Sequence, residues 1–320
     1  MSEDTRLEDI KGVGRMTAEK LRKAGVNSVE ELAVTPIREL VDKAELSKKS
    51  ASNLSETARR LMSMSFVSAM ELWEERKNMM RCSMGSEALD DLLAGGIETK
   101  AMTELVGQYS AGKTQICLKL CVMAQLPPEQ GGLGGGALFF DTEGTFSAQR
   151  IHQIAQAMEL DPESILDGIL VSRVYTSDHQ ILLLDHSFKI CREEEIKLVI
   201  VDSLISHFRS EYIGRESLAE RQQKLNNYLH KLLRLAEVYN LAVVVTNQAQ
   251  ANPNAFFGNP NKPAGGHVMA HACTHRVMLR KSKGAKRIAR VFDSPYIPEQ
   301  ECVFKISEKG IEDVEEGGLS

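Results

Sequence analysis

A glycine-rich loop at residues 107–114, GQYSAGKT, constrains this chain more than any other stretch. It matches G-x-x-x-x-G-K-[ST] at every fixed position, a pattern that joins a strand to a helix and holds phosphate. The apolar run AMTELVG precedes it, and Ile116, Leu120 and Met123 follow it at helical spacing. The sequence therefore predicts a strand, a phosphate-binding loop and a helix in that order. A glycine turn without a ligand is the alternative.

The loop has a definite expected chemistry. Backbone N–H groups of the loop and of the helix N-terminus point at the β-phosphate of a nucleotide. The Lys113 ammonium reaches the β and γ oxygens, and the Thr114 hydroxyl ligates Mg²⁺. We therefore expect nucleotide contacts from Gly107, Gln108, Tyr109, Ser110, Ala111, Gly112, Lys113, Thr114 and Gln115.

From residue 79 onward, strand-like and helix-like segments alternate, which predicts a mostly parallel α/β sheet with helices on both faces. The buried strand KLVIVDSL (197–204) places Asp202 at the sheet edge where a carboxylate can hold Mg²⁺. Two other strands, ALFFDTEG (137–144) and LAVVVTNQ (241–248), end in polar residues at the same edge. A merely capping role for Asp202 is the alternative.

Two irregular stretches follow strand ends, HFRSEYIGRES (207–217) and AQANPNAFFGNPNKPAGG (249–266). Open α/β sheets bind ligands at that edge, and both stretches mix Arg or Lys with aromatics, as single-strand nucleic-acid grooves do. The net charge is −5, so nucleic-acid binding has to rest on local clusters. One such cluster, residues 276–290, holds seven Lys or Arg and no acid. A solvated hairpin face is the other interpretation of this cluster.

The N-terminal part differs in composition. Residues 1–62 have helical periodicity and carry a Gly12-Val13-Gly14 turn, typical of a helix-hairpin-helix that approaches a phosphate backbone. A purely structural helical hairpin is the alternative. Residues 63–78 are predicted to be a linker, and residues 79–320 the α/β core. Capping residues are expected at Ser28 with Glu31 and at Ser217 with Glu220.

Composition indicates the cell compartment and bears on membrane association and metal binding. The six cysteines form no CxxC pair, no N-terminal signal precedes the first domain, and no apolar run has membrane-spanning length. We therefore expect a cytoplasmic protein with no membrane partner. His267, His271 and His275, spaced four apart, are a weak alternative metal site on one helix face, because no carboxylate or cysteine joins them.

In their order along nearly the whole chain, these motifs resemble the RecA-like strand-exchange ATPases, the family of the archaeal RadA recombinases. The resemblance is carried by GQYSAGKTQ, FFDTEGTF, LVIVDSL, RSEYIGR, LAERQQKL, VVVTNQ, AFFGNP, KPAGGHVMAHA, LRKSKG and FDSPYIPE. It implies a RecA-like P-loop ATPase core after a small all-α helix-hairpin-helix domain. It also implies ATP and Mg²⁺ as cofactors and a filament that pairs single-stranded DNA with a homologous duplex in recombination and double-strand break repair.

The resemblance implies a role for particular residues. Glu143 is the expected general base, Gln248 the γ-phosphate sensor, and Arg150 the arginine against the adenine. The implied DNA contacts are Arg209, Tyr212 and Arg215 in the first stretch and Phe256, Phe257 and Lys262 in the second. The implied assembly residues are Phe66 and Ala69 for polymerisation, Asp293 and Pro298 for capping the neighbour's ATP, and His271 for linking that nucleotide to the DNA stretches.

The chain departs from the family pattern at two places. Tyr-Ser-Ala at residues 109–111 stands where Phe-Gly-Ser is common, and Ser147 stands where an arginine often follows GTF. Neither change touches the fixed chemistry of the loop. A RecA-fold helicase motor and a recombinase paralogue that acts as a filament-loading mediator are the competing interpretations. The helicase would need a different N-terminal domain, and the paralogue would typically lack Glu143 or a DNA stretch.

Overall fold

The computed structural model describes residues 6–251 and 261–315, and it describes no side chain at residues 250, 251, 261 or 262. The chain divides into two compact units, Met1–Asn78 and Met79–Ser320. Each unit has its own hydrophobic core, so each is described separately.

The described part of the first unit contains helices and no strand, as the sequence predicts. After a short 3-10 turn at Leu7–Asp9 come α1 (Arg15–Lys23), α2 (Val29–Val34), α3 (Ile37–Ala44), α4 (Lys48–Leu61) and α5 (Ala69–Lys77). Between the 3-10 turn and α1, Gly12 adopts φ 100°, a conformation that glycine takes without strain. Val13 beside it is buried, which anchors the turn to the core.

Two local expectations for this unit need correction. Ser28 does accept a hydrogen bond from the Glu31 backbone at 3.1 Å, but the Glu31 carboxylate accepts from the backbone of Asn27. In the predicted capping box the Glu31 carboxylate would accept from the Ser28 backbone, so the donor is one residue earlier in the chain than predicted. Residues 63–78 are not all irregular linker, because α5 begins at Ala69. A capping box starts this helix: the Ser68 hydroxyl accepts from the Glu71 backbone, and the Glu71 carboxylate accepts from the Ser68 backbone.

The second unit is built on one large sheet. Its strands are β3 (Met102–Gly107), β4 (Gly136–Asp141), β5 (Ile169–Arg173), β6 (Ile196–Asp202), β7 (Ala242–Ala251), β8 (Asn261–Pro263), β9 (His275–Lys281), β10 (Lys286–Asp293), β11 (Gln300–Ser307) and β12 (Gly310–Asp313). Two further short strands, β1 (Arg81–Cys82) and β2 (Ile97–Glu98), pair separately with each other.

The sheet has the order β12-β11-β10-β9-β3-β7-β6-β4-β5, with β8 paired to β7. The block from β9 to β5 is parallel, and β10, β11 and β12 extend it in antiparallel fashion. This confirms the predicted mostly parallel sheet. The C-terminal ends of β3, β4, β6 and β7 therefore meet at one edge, where ligands bind in open α/β sheets.

Helices cover both faces of the sheet, as expected. They are α6 (Glu87–Leu92), α7 (Lys113–Met123), α8 (Ala148–Ala157), α9 (Pro162–Asp167), α10 (Ser177–Glu193), α11 (Ser206–Glu211), α12 (Leu218–Tyr239) and α13 (Gly266–Ala272). Ile116 of α7 shares one core with Phe139, whereas Leu229 of α12 shares the other core with Phe140. Adjacent residues of β4 point to opposite faces, as strand geometry requires.

Several predicted boundaries differ from the structure. The strand from Ile169 ends at Arg173, not at residue 176. Ser217 lies at the N-cap of α12, but its hydroxyl donates to the Ile213 carbonyl at 2.8 Å and does not cap the helix. The stretch 207–217 is helical only as far as Glu211, where α11 ends, and the stretch 249–266 begins as a continuation of β7 and returns as β8.

A contact between distant parts of the chain closes the second unit. The Asp313 carboxylate at the end of β12 accepts from the Ser86 hydroxyl at 2.6 Å and from the backbone of Glu87 and Ala88 at 2.9 and 3.0 Å. It thus caps α6. All six cysteines are free thiols, and Cys117 and Cys121 on α7 are buried in the core. Within the part of the chain that the structure describes, no helix has the length and apolarity to cross a bilayer.

Candidate nucleotide and DNA site

The glycine-rich loop joins β3 to α7, as the motif predicts. Gly112 has φ 106° at the N-cap of α7, which requires glycine. Ser110 has φ 61°, a left-handed conformation that costs a non-glycine residue free energy. The Tyr109 side chain is almost fully exposed at the tip of the loop. The loop therefore has the backbone shape of a phosphate cradle.

Lys113 lies inside this cradle. Its Nζ atom donates to the carbonyl oxygens of Gly107 at 2.8 Å and Gln108 at 3.0 Å. Burial lowers the pKa of Lys113, and the nearby Asp202 and Glu143 carboxylates oppose that shift. The ammonium is therefore held at the loop by neutral carbonyls, which a phosphate can replace with a stronger charge-assisted bond.

Thr114 and Asp202 are in direct contact, although they lie on different elements. Thr114 Oγ1 donates to Asp202 Oδ2 at 2.7 Å, and Thr246 Oγ1 donates to the other carboxylate oxygen. Burial raises the pKa of Asp202, while the Thr246 and Thr114 hydroxyls act in the opposite direction. A hydroxyl and a carboxylate at one point form the oxygen donor set that Mg²⁺ prefers.

Glu143 and Gln248 are also brought together. Gln248 Nε2 donates to Glu143 Oε1 at 3.1 Å, across the ends of β4 and β7. Asp141 fixes the turn that carries Glu143, because its carboxylate accepts from the backbone of Gly144 at 2.7 Å and of Thr145 at 3.0 Å. Arg173 adds an ion pair to Asp141 at 3.2 Å. An exposed carboxylate on an anchored turn, with an amide beside it, is suited to accept a proton from water.

Arg150 contacts the other side of the loop region. Its Nε donates to Gln115 Oε1 at 2.9 Å, and its Nη1 donates to the Glu308 carbonyl at 3.2 Å. Ser307 supplies a further carbonyl to Nη2. Burial lowers the pKa of Arg150, opposed by Glu308. The guanidinium thus lies beside the N-terminus of α7, the place where the resemblance expects the adenine.

Asp293 is the last residue of β10, Pro298 lies on the segment that follows the strand, and both are exposed. Arg276 donates to Asp293 at 3.5 Å, and the Ser294 hydroxyl contacts His275 Nδ1 at 3.1 Å. His275 is on β9 and is buried against Glu98, whereas His267 and His271 are exposed on α13. The three histidines therefore do not line one helix face, and no group of three or more metal-ligating side chains occurs among the described residues.

The first expected DNA stretch is described in full. Arg209 lies in α11, and Arg215 is exposed beyond it. The Tyr212 hydroxyl accepts from Lys224 Nζ, which also pairs with Asp178 at 3.3 Å. In the second stretch, Phe256 and Phe257 lie outside the described residues. Lys262 belongs to β8, but its side chain lies outside the described part as well.

The basic segment 276–290 forms the β9–β10 hairpin, and much of its charge is offset. Three of its arginines pair with acids of β3, of β11 and of the residue just before β11: Arg276 with Glu104 at 2.5 Å, Arg280 with Glu301 at 3.0 Å and Arg290 with Glu299 at 2.5 Å. Three of the seven basic side chains of this segment are therefore paired with acids from outside it. A local sequence window does not reveal these acids, because the pairing of the strands in the sheet brings them to the arginines.

Phe66 and Ala69 are both exposed. The Phe66 side chain has 103% relative exposure, and Met70 and Trp73 on α5 are more than half exposed. Residues 65–68 have no regular secondary structure, and Ser68 has extended backbone angles. An extended apolar segment before a capped helix has the form needed to add to a sheet edge of another chain.

Sequence reasoning missed Thr246 and Asp141. Both had a signal: three polar residues, Thr246 to Gln248, follow the apolar run of β7, and β4 ends in an acid two residues before Glu143. Their roles could not be assigned beforehand because each depends on which neighbouring strand it faces. The same holds for Glu104, an acid in the middle of an otherwise apolar strand.

The chain matches known protein families over most of its length. Residues 75–314 match the profile of the Rad51 family, and residues 4–60 match that of the SAM-like helix-hairpin-helix tandem. The chain is 47% identical to a protein of Metallosphaera sedula described as DNA repair and recombination protein RadA, over 311 residues that cover 97% of this chain and 96% of the relative. The chain therefore belongs to the Rad51 family, as its ordered motifs predict.

Proposed function

We propose that this protein is an ATP-dependent recombinase that forms filaments on single-stranded DNA and exchanges strands with a homologous duplex in recombination and double-strand break repair. The observation that carries the proposal is the contact of Gln248 with Glu143 at 3.1 Å, at the sheet edge where Thr114 meets Asp202. The printed name of its Metallosphaera relative, which refers to DNA repair and recombination, supports it.

ATP and Mg²⁺ fit the residues of this edge. Thr114 and Asp202 would hold Mg²⁺, since they provide hydroxyl and carboxylate oxygens, and the ion would neutralise phosphate charge. The backbone N–H groups of residues 107–114 would surround the phosphates. Arg150 beside Gln115 would contact the adenine.

The protein groups divide the work of hydrolysis. Lys113 would exchange its two carbonyl partners for phosphate oxygens, which stabilises negative charge as it develops. Glu143 would accept a proton from the attacking water at a carboxylate oxygen. Gln248 would hold that carboxylate and sense the γ-phosphate, so that hydrolysis depends on the position of β7.

Residues of both units would bind DNA. Arg209, Tyr212 and Arg215 would contact single-stranded DNA next to the nucleotide edge, together with Phe256, Phe257 and Lys262. The cleft beside Gly12 in the first unit is lined by Lys11, Thr17, Ser50, Asn53 and Arg60, side chains suited to a phosphate backbone.

Self-association would use residues from both units of the chain. Phe66 and Ala69 would add to the sheet of a second copy, and Asp293 and Pro298 would cover the nucleotide of that neighbour. His271 would link this nucleotide to the DNA stretches. Both Asp293 and His271 are exposed and accessible to a partner subunit.

The test is hydrolysis of ATP with and without single-stranded DNA, combined with strand exchange between a labelled single strand and its homologous duplex. We expect DNA-stimulated hydrolysis, strand exchange and filaments visible by electron microscopy. A filament-loading mediator would bind DNA without DNA-stimulated hydrolysis or exchange, and that result would replace the proposal. Glu143→Gln serves as the control, because it keeps the site's shape and removes the base.

A further inference from the structure

Lys119 is a cation inside the core of the second unit. It lies on α7, one turn beyond the phosphate-binding residues Lys113 and Thr114, and it is only 3% exposed. Burial lowers the pKa of Lys119 to about 8, and Glu312 acts in the opposite direction. A buried charge is costly in free energy unless polar groups compensate for it. The groups that Lys119 contacts therefore indicate what it does.

The Lys119 side chain runs between two glycines. A Cβ on Gly85 would overlap Lys119 Cε, and a Cβ on Gly310 would lie 3.1 Å from its Cδ. Beyond them, Nζ donates to the Lys309 carbonyl at 3.0 Å and to Met158 Sδ at 2.8 Å. A bond from an ammonium to a carbonyl is stronger than one between neutral groups. The ammonium is thus fixed in position and holds the Lys309 carbonyl firmly.

The Lys309 carbonyl belongs to the β11–β12 turn (residues 307–310), where the two strands meet. The Ser307 and Glu308 carbonyls of this turn accept from the Arg150 guanidinium. The next carbonyl, that of Lys309, accepts from Lys119. Two cations therefore hold three successive carbonyls, and one of these cations is the arginine that would contact the adenine.

Arg150 is held between the β11–β12 turn and α7. Its Nε donates to Gln115 Oε1 on α7 at 2.9 Å, and Lys119 lies one turn further along the same helix. The contacts form a closed ring that runs from α7 through Arg150 to the turn and returns through Lys119. The bond to Met158 adds the end of α8, the helix whose first turn carries Arg150. Removal of the Lys119 ammonium opens this ring.

We propose that Lys119 is a positioning residue for adenine recognition: it fixes the β11–β12 turn, whose carbonyls orient the Arg150 guanidinium against the base. The inference rests on the proposed function, in which Arg150 contacts the adenine. A guanidinium is planar and stacks on a base through its flat face, so the contact depends on the orientation of that plane. The phosphates are bound by the loop at residues 107–114. Loss of Lys119 should therefore weaken recognition of the base and leave recognition of the phosphates intact.

The experiment compares Lys119→Met with Lys231→Met. Methionine has nearly the length of lysine and no charge. Lys231 is the matched control, because its side chain is largely buried and pairs with Asp185, but it lies on α12 at the other face of the sheet. Calorimetry in the presence of Mg²⁺ measures the affinity of each variant for ADP and for inorganic pyrophosphate, which lacks the adenosine. Thermal unfolding is measured alongside.

We expect Lys119→Met to weaken ADP binding by roughly two- to thirtyfold, which corresponds to about 0.5–2 kcal/mol for a cation over an aromatic ring. Its affinity for pyrophosphate should equal the parent's. Lys231→Met should bind both ligands as the parent does. Unchanged ADP affinity in folded Lys119→Met overturns the inference, as does an equal loss for pyrophosphate or a matching loss in Lys231→Met.

A double-mutant cycle with Arg150→Met separates positioning from general damage. If Lys119 acts through Arg150, adding Lys119→Met to Arg150→Met causes no further loss of ADP affinity. Losses that add in full overturn the inference. If Arg150→Met alone binds ADP as tightly as the parent does, the adenine contact in the proposed function is refuted instead, which keeps the two failures distinguishable.

A second variant, Gly310→Ala, displaces the same turn and remains informative if Lys119→Met does not fold. Gly310 has φ 91°, and its added Cβ would press on Lys119, so the turn has to shift. The control is Gly25→Ala, because Gly25 has a similar φ of 85° and no atoms near its Cβ position. We expect a loss of affinity for ADP, and none for pyrophosphate, in Gly310→Ala alone. Parental ADP affinity in folded Gly310→Ala overturns the inference.

Discussion

Replacing Thr246 by valine tests the candidate magnesium site most sharply. The Thr246 hydroxyl is one of two that donate to Asp202, whose side chain is only 2% exposed, so bulk water cannot replace the lost donor. Valine keeps the shape of threonine. A hydrogen bond to a charged group contributes about 1.5–3 kcal/mol, and we expect the free energy of unfolding at pH 8 to fall by about that amount.

The loss should depend on pH with a definite sign. Burial raises the pKa of the Asp202 carboxyl above its ordinary value, and the Thr246 hydroxyl opposes that shift. A carboxyl with a raised folded-state pKa contributes stability below its unfolded-state pKa and loses it as the pH rises through the folded-state value. Valine raises that pKa further. The difference in stability between variant and parent should therefore be small in acid and grow as the pH rises.

Urea unfolding of the nucleotide-free protein at pH 5 and pH 8 measures this difference, with Thr246→Ser as the control that keeps the hydroxyl. In ATP hydrolysis, the half-saturating Mg²⁺ concentration of Thr246→Val should rise about tenfold, which corresponds to about 1.4 kcal/mol. The reasoning is refuted if valine matches the parent at pH 8, or if serine is as damaging as valine.

Four further outcomes are expected. Glu143→Gln should retain ATP binding and slow hydrolysis by roughly 10² to 10⁴, measured as steady-state turnover, and an unchanged rate would place the base elsewhere. Phe66→Glu should weaken self-association about thirty- to a hundredfold, the loss expected for one buried phenylalanine. Light scattering measures this, and Met16→Glu, an exposed apolar residue of the same unit, should have no effect. In a plot of log affinity for single-stranded DNA against log salt concentration, Arg215→Gln should have a slope about 0.7 smaller than that of the parent. A slope equal to the parent's would exclude a phosphate contact of Arg215. Ser110→Gly should raise stability by up to about 1 kcal/mol in urea unfolding, since φ 61° suits glycine; a loss would mean that the serine side chain contributes.

The nucleotide edge was predictable because its geometry follows from short-range rules. The spacing of the glycine-rich motif fixes Lys113 and Thr114 at a helix start, and a run of apolar residues before Asp202 indicates a buried strand. Parallel strands present their C-terminal ends at one edge, so Thr114 and Asp202 had to be close. Their contact at 2.7 Å is the result.

The remaining contacts could not be predicted, since they depend on pairing between strands that are distant in the sequence. Arg280 and Arg290 belong to a run without acids, and only the register of β9, β10 and β11 brings Glu301 and Glu299 to them. His275 shares the spacing of two helical histidines but begins a strand. The spacing of the histidines alone cannot reveal that the chain changes from helix to strand within four residues.

The cap that Asp313 places on α6 has a consequence for the order in which the protein becomes folded. Ser86 and Asp313 are separated by 227 residues, and at a synthesis rate of about 5–20 residues per second the ribosome needs roughly 10 to 45 s to supply the second partner. Through that interval α6 has the Ser86 hydroxyl at its N-cap but lacks the Asp313 carboxylate, and the edge strand β12 does not exist. Contacts at such separation slow folding, because the loop between them must be ordered before they form. The nucleotide loop at residues 107–114 is thus synthesised well before the second unit can complete its fold. During that interval the nascent second unit is a long-lived intermediate with exposed apolar surface.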